Sequence, residues 1–257
     1  TIGALTISFL SLPYIGTRGS LYIASIISIV TAIVTFKLAT PPAQQPYQKH
    51  KHRIFPTNNK TLCYTLYACI VAVATLFMYK AAWTRMLSLQ LGSSSRTLSL
   101  IFCSFFICLS LGALWAEIKT KVDKPFLPRI ARLQIIASIC AIITIPLYLM
   151  SLNWTEPVLQ LALGKKYLGY PLYSLFISCT SLALMFPATF FSGMNLSVLI
   201  RSLASSHHGI SIGAVYTLCA LGGMAGVGFS YRIGVPTLGP KNLILFAATL
   251  NALLGVF

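Results

Sequence analysis

Acidic residues are almost missing from this sequence. Among its 257 residues only Glu117, Asp123 and Glu156 carry carboxylates, against 19 lysines and arginines, for a net charge of +16. Three scattered acids leave no carboxylate cluster that could hold an amine. Charge of either sign is scarce, at 9% of residues, where a soluble globular domain carries about 25%. A basic soluble protein would suggest nucleic acid, but here the cations punctuate apolar runs and form no face. They read as topogenic charges attracted to anionic lipid heads.

Other absences narrow the classes further. No CxxC pair exists, and the seven cysteines, Cys63, Cys69, Cys103, Cys108, Cys140, Cys179 and Cys219, all lie inside apolar runs. They read as small buried hydrophobes, with no disulfide framework and no zinc site. His50 and His52 alternate with lysines, which disfavours a divalent metal, and the adjacent His207 and His208 would point to different sides of a helix. No Gly-rich loop followed by an acidic residue marks a nucleoside site. Catalytic, cofactor and metal residues are therefore expected to be none. No signal peptide opens the chain, and Thr1 falls within an apolar stretch, so the start reads as a cut.

What the chain has in abundance is apolar sequence. Hydrophobic residues make up 56% and the mean hydropathy is +0.81. The expected fold is an all-α, polytopic transmembrane helix bundle. At about 20 residues per span plus loops, about seven spans fit. The most diagnostic stretch is Tyr79 to Glu117: Lys80, Trp83 and Arg85 close one apolar run, Gly92 to Ser95 turn, and Leu98 to Ala116 form the next. Trp beside Arg or Lys at a span edge is expected to anchor the helix at the interface.

In chain order, Pro13 to Gly19 reads as a tight turn of helix breakers. The spans are expected at Ser20–Leu38, Thr61–Ala82, Leu98–Ala116, Leu133–Leu152, Pro171–Ile200, Ile210–Ser230 and Asn242–Phe257. Pro146 reads as a kink, and Asn153–Tyr170 as an interfacial segment whose Asn153-Trp-Thr155 sequon is incidental. Gly222 and Gly226 form a GxxxG, which permits close helix approach. Basic loops at Ala39–Lys60, Glu117–Arg132 and Arg201–Gly209 are assigned to the cytoplasmic side.

The two ends of the chain read alike. Shifted by 223 positions, Gly3 falls on Gly226, Pro13 on Pro236, Gly16 on Gly239, Arg18 on Lys241 and Ala24 on Ala247. The domain reading is accordingly the end of a preceding helical repeat at 1–38, a basic Pro/Gln-rich linker at 39–60, and a transmembrane helical repeat at 61–257. Repeated bundles of this type build transporters that rock around a central site, but also non-transporting platforms.

Several blocks in order carry a family resemblance. YKAAWTRMLSLQLGSSSRT followed by LSLGALWAE, then FPATFFSGMNLSVLIRSL, then the stretch from Gly213 to Phe257, resemble the membrane region of fused major-facilitator-like/spermidine-synthase-like proteins. In that pattern Tyr-Glu-x-x-Trp-Thr-Arg precedes Leu-Gly-Ser-Ser, and a closing hairpin carries Tyr-x-x-Asn-Thr. The resemblance covers about Leu62 to Phe257. It implies a multi-pass protein of the bacterial inner (plasma) membrane, associated with polyamine biosynthesis. Full-length members carry a soluble aminopropyltransferase-like domain using decarboxylated S-adenosylmethionine and a diamine, which nothing here matches. Two departures stand out: Lys80 occupies the position of the pattern's Glu, and at Tyr216-Thr217-Leu218 the closing asparagine is missing.

The expected function is thus a membrane domain serving as anchor or partner of a soluble catalytic domain absent from this chain. Its expected partners are the lipid bilayer and such a domain, and no nucleic acid. The alternative is a major-facilitator-type transporter of a small neutral or anionic solute. Polyamine transport is disfavoured, because a charged amine needs carboxylates along its path. The candidate intramembrane or interfacial site is Lys80, Trp83, Arg85, Arg96, Glu117, Asn195 and Arg201. Lys80, Arg85 and Arg96 would attract an anion, or, more plainly, snorkel to the interface.

Overall fold

A computed structural model describes residues 12–38, 59–119, 126–163, 169–206 and 212–256, and every described residue outside 92–94 is helical. The elements are α1 (Leu12–Leu38), α2 (Asn59–Leu91), α3 (Ser95–Lys119), α4 (Phe126–Leu163), α5 (Gly169–Ser206), α6 (Ile212–Phe229), a π-helical segment (Ser230–Leu238) and α7 (Gly239–Val256). Most of the basic linker, Asp123, and histidines 50, 52, 207 and 208 lie outside the described residues. Helix throughout is what hydrocarbon demands, because each backbone N–H and C=O must find its partner within the segment.

Five stretches are long and apolar enough to cross a membrane: Tyr64–Leu91, Thr97–Lys119, Leu127–Pro157, Tyr173–Ser202 and Val215–Val256. The chain is a multi-pass helical membrane protein. The last stretch, at 42 residues, would be about 63 Å long if straight, roughly twice a bilayer core. It is not straight. Pro236 lies in the π-helical segment, Gly239 takes φ +77, and the Phe229 and Phe246 rings stack at 5.5 Å. The chain doubles back there.

Two compact units divide the chain, Thr1–Ile54 and Phe55–Phe257. In the first, α1 includes Pro13 and Gly16, so the expected tight turn at Pro13–Gly19 is instead helix. At the counterpart position Pro236 lies inside the π-helical segment, and the backbone departs from helical geometry only at Gly239. The hydroxyls of Ser25, Ser28, Thr31 and Thr35 donate to carbonyls four residues earlier, at 2.7–2.9 Å. Those bonds satisfy polar groups on an otherwise apolar surface.

In the second unit α2 is the hub. Helix α4 runs parallel to it, matched at Trp83–Thr144, Met86–Tyr148 and Gln90–Ser151. Helix α6 also runs parallel, with Cys69 beside Cys219 and Gly222 and Gly226 on the Ile70 and Ala74 backbone. Helix α5 runs the other way, with the Tyr173 hydroxyl donating to the Leu91 carbonyl at 2.7 Å and Val198 and Leu199 packed with Ala68. Helix α7 opposes α2 and α4: Tyr64 donates to the Leu254 carbonyl, and a side chain at Gly255 would strike the Ala131 carbonyl at 2.8 Å.

Two expected boundaries are corrected. Helix α2 continues past Ala82 to Leu91, so Lys80, Trp83 and Arg85 lie within a helix and do not end one. Asn153–Leu163 belongs to the 38-residue α4, with Pro146 and Pro157 inside it, and so continues the preceding span as one helix. The short link at Gly92–Ser94 is retained. Gly92 adopts φ +88, a backbone that only glycine takes without strain, and Ser94 Oγ caps α3 by accepting from the Thr97 N–H at 3.2 Å.

Candidate functional site

The expected site residues do not converge. Trp83, expected at the interface, is buried; its ring stacks on Tyr79 at 5.6 Å, and its Nε1 donates to Thr144 Oγ1 at 3.1 Å. Thr144 in turn donates to the Ala141 carbonyl at 2.6 Å, so both groups are satisfied. The apolar run alone gave no sign of this.

Lys80 is half-buried and has no acid paired with it among the described residues. Its Nζ lies over four rings, at 5.4 Å from the centroid of Phe77, 4.5 Å from Phe102, 5.3 Å from Phe105 and 5.1 Å from Phe106. Three of these come from α3. Each ring face attracts the ammonium by about 0.5–2 kcal/mol, so the helix pair accommodates a cation without a carboxylate. Where the resembled pattern has Glu, this chain has a cation held by aromatic rings.

Arg85 is exposed, and Arg96 lies in the first turn of α3. Glu117 and Arg201 do come together. They form an ion pair joining the ends of α3 and α5, with Glu117 55% and Arg201 34% exposed. Upstream of that pair the same helices approach at van der Waals limits. A side chain at Gly112 would strike the Phe190 carbonyl, and one at Gly193 the Leu109 carbonyl. Asn195, two residues beyond Gly193, is buried, and its Oδ1 has no hydrogen-bond partner among the described residues.

A second set of residues, not anticipated as a site, does converge. Tyr79 on α2, Gln134 and Ser138 on α4 and Asn251 on α7 are all buried, between 0% and 4% exposed. The Gln134 backbone carbonyl accepts from Ser138 Oγ at 2.8 Å and from Asn251 Nδ2 at 3.4 Å. The Tyr79 hydroxyl faces Ser138 and Asn251. Three polar atoms of this group are left without partners among the described residues: both terminal atoms of the Gln134 amide, and Asn251 Oδ1. Gly255 makes the arrangement possible by letting α7 approach Ala131 and Ile135.

A signal for this set was present. Gln134 and Asn251 are carboxamides inside expected spans, where an uncharged polar side chain also needs a partner. No His/Cys/Asp/Glu group suited to a metal occurs among the described residues. The two carboxylates that are described, Glu117 and Glu156, are both exposed. The arrangement can therefore offer hydrogen bonds to an uncharged group, and the Lys80 ammonium is already occupied by rings. No known family model, curated protein or solved structure matches this chain.

Proposed function

We propose that this chain is the membrane domain of a spermidine-synthase-like protein of the bacterial inner membrane, acting as anchor or partner for a soluble aminopropyltransferase-like domain. One observation carries the reading: the residues of the resembling blocks are the ones that pack the helices. Tyr79 and Trp83 fill the core between α2 and α4, Gly112 and Gly193 form the α3–α5 crossing, and Gly222 and Gly226 form the α2–α6 crossing. Motif residues used in this way specify an architecture.

The proposed architecture has seven spans. Helices α2 to α7 alternate in direction, as expected for one six-helix half of a major-facilitator-type bundle, and α1 would close an earlier copy. The ends of α3 and α5 and the start of α4 then share one side. Lys119, Arg129, Arg132 and Arg201 lie there, which would make it the cytoplasmic side and the side for a soluble partner to dock.

The test is a pair of titrations in lipid nanodiscs with labelled putrescine, spermidine and S-adenosylmethionine. The complete gene product is expected to bind them saturably, and the Thr1–Phe257 chain to show no saturable binding. Saturable polyamine binding by this chain would remove the anchor reading.

A further inference from the structure

Unpartnered polar atoms inside a membrane bundle call for an occupant. Leaving one buried donor or acceptor unsatisfied costs about 1–3 kcal/mol, and in hydrocarbon no solvent is at hand to compensate. Here three such atoms, both ends of the Gln134 amide and Asn251 Oδ1, sit on two helices joined at the Gln134 carbonyl, which already accepts two hydrogen bonds. We propose that Tyr79, Gln134, Ser138 and Asn251 form an occluded binding site for a small uncharged molecule with adjacent hydrogen-bond donor and acceptor, a carboxamide or urea.

The ligand class follows from the inventory of free groups. Gln134 presents an amide whose oxygen and nitrogen are both unpartnered, and the complement of such an edge is another amide, which gives and takes one hydrogen bond in the same plane. Asn251 Oδ1 accepts, and the Tyr79 hydroxyl can donate or accept. Charge is disfavoured, because the nearest cation on α2, Lys80, is held by rings from Phe77 and α3, and the described carboxylates, Glu117 and Glu156, are exposed. An ion in this position would lose its hydration with no counter-charge in return.

The site does not depend on the anchor reading, and it has a built-in reporter. Trp83 stacks on Tyr79, whereas the other two tryptophans, Trp115 and Trp154, are exposed. Replacing them by Phe leaves Trp83 as the single fluorophore. The full chain in detergent or nanodiscs is then titrated with acetamide and urea, with acetate and methylammonium as charged controls.

The expected result is a saturable change in Trp83 emission with the neutral probes only. Gln134→Leu should weaken it about tenfold or more, the loss of two hydrogen bonds, and should not lower the melting temperature, since it removes unpartnered atoms. Tyr79→Phe keeps the stacked ring and removes only the hydroxyl, so it stands in if Gln134→Leu fails to fold. A linear response unchanged by either substitution, or an equal response to the charged probes, overturns the proposal. Site occupation by water alone would give the linear result.

Discussion

Two faces of α2 solve the same problem in different ways. Toward α6 it presents Ile70 and Ala74 to Gly222 and Gly226, and the helices meet backbone to backbone. Toward α4 and α7 it presents Tyr79, Trp83, Met86 and Gln90 to hydroxyls and amides. Neither face relies on hydrophobicity for its specificity, because lipid tails are as apolar as leucine. The glycine face gains dispersion through close approach. The polar face gains direction, since Trp83, Tyr148 and Gln90 each fix a register between α2 and α4.

The sharpest way to break this contrast is to thicken the glycine face. Gly226→Leu would push a side chain into the Ala74 carbonyl, an atom of backbone that cannot turn aside. The expected loss exceeds the ~1–3 kcal/mol of ordinary overpacking, read as a collapse of the monodisperse peak and of the thermal transition in detergent. Gly228→Ala is the internal comparison: nothing lies within 4 Å of its added carbon, so stability should hold or rise by roughly 0.5–1 kcal/mol.

A smaller effect is expected on the polar face. Thr144→Val preserves volume but leaves Trp83 Nε1 without its acceptor, at a cost of about 1–3 kcal/mol. Lower melting temperature together with a shifted Trp83 emission would show it; no change in either would mean that the indole is not held by Thr144.

The smallest effect belongs to the pair outside both faces. Glu117→Gln removes the partner of Arg201, but both side chains reach solvent, and such pairs contribute about 0–1 kcal/mol. The difference from the unaltered chain should shrink further as salt is raised. A loss above ~2 kcal/mol that persisted at high salt would place this pair with the buried groups.

Much of the bundle was legible in sequence. Apolar runs of membrane length, the turn at Gly92 and the GxxxG at Gly222–Gly226 were all readable, because each rests on local covalent chemistry or on the number of residues a bilayer requires. The errors also have physical causes. Pro13 falls in the first turn of α1, where its missing N–H would have no helical partner anyway, and Gly16 follows within the same helix. Trp83 next to Arg85 looks like an interface anchor. The helix continues beyond it, so its position in the sequence did not give its depth.

By itself the sequence determined that this protein is helical and lies in a membrane, because scarce charge and long apolar runs admit no other way of satisfying the backbone. Only the tertiary structure decided which side of each helix is inside. Along these spans nearly every face is apolar, and lipid and neighbouring helix accept such faces equally well, so periodicity carries no inside–outside signal. The rings over Lys80, the acceptor for Trp83, and the meeting of Tyr79, Ser138, Gln134 and Asn251 therefore depend on partners from α3, α4 and α7. Their places on α2 could not be read without knowing which helices lie against it.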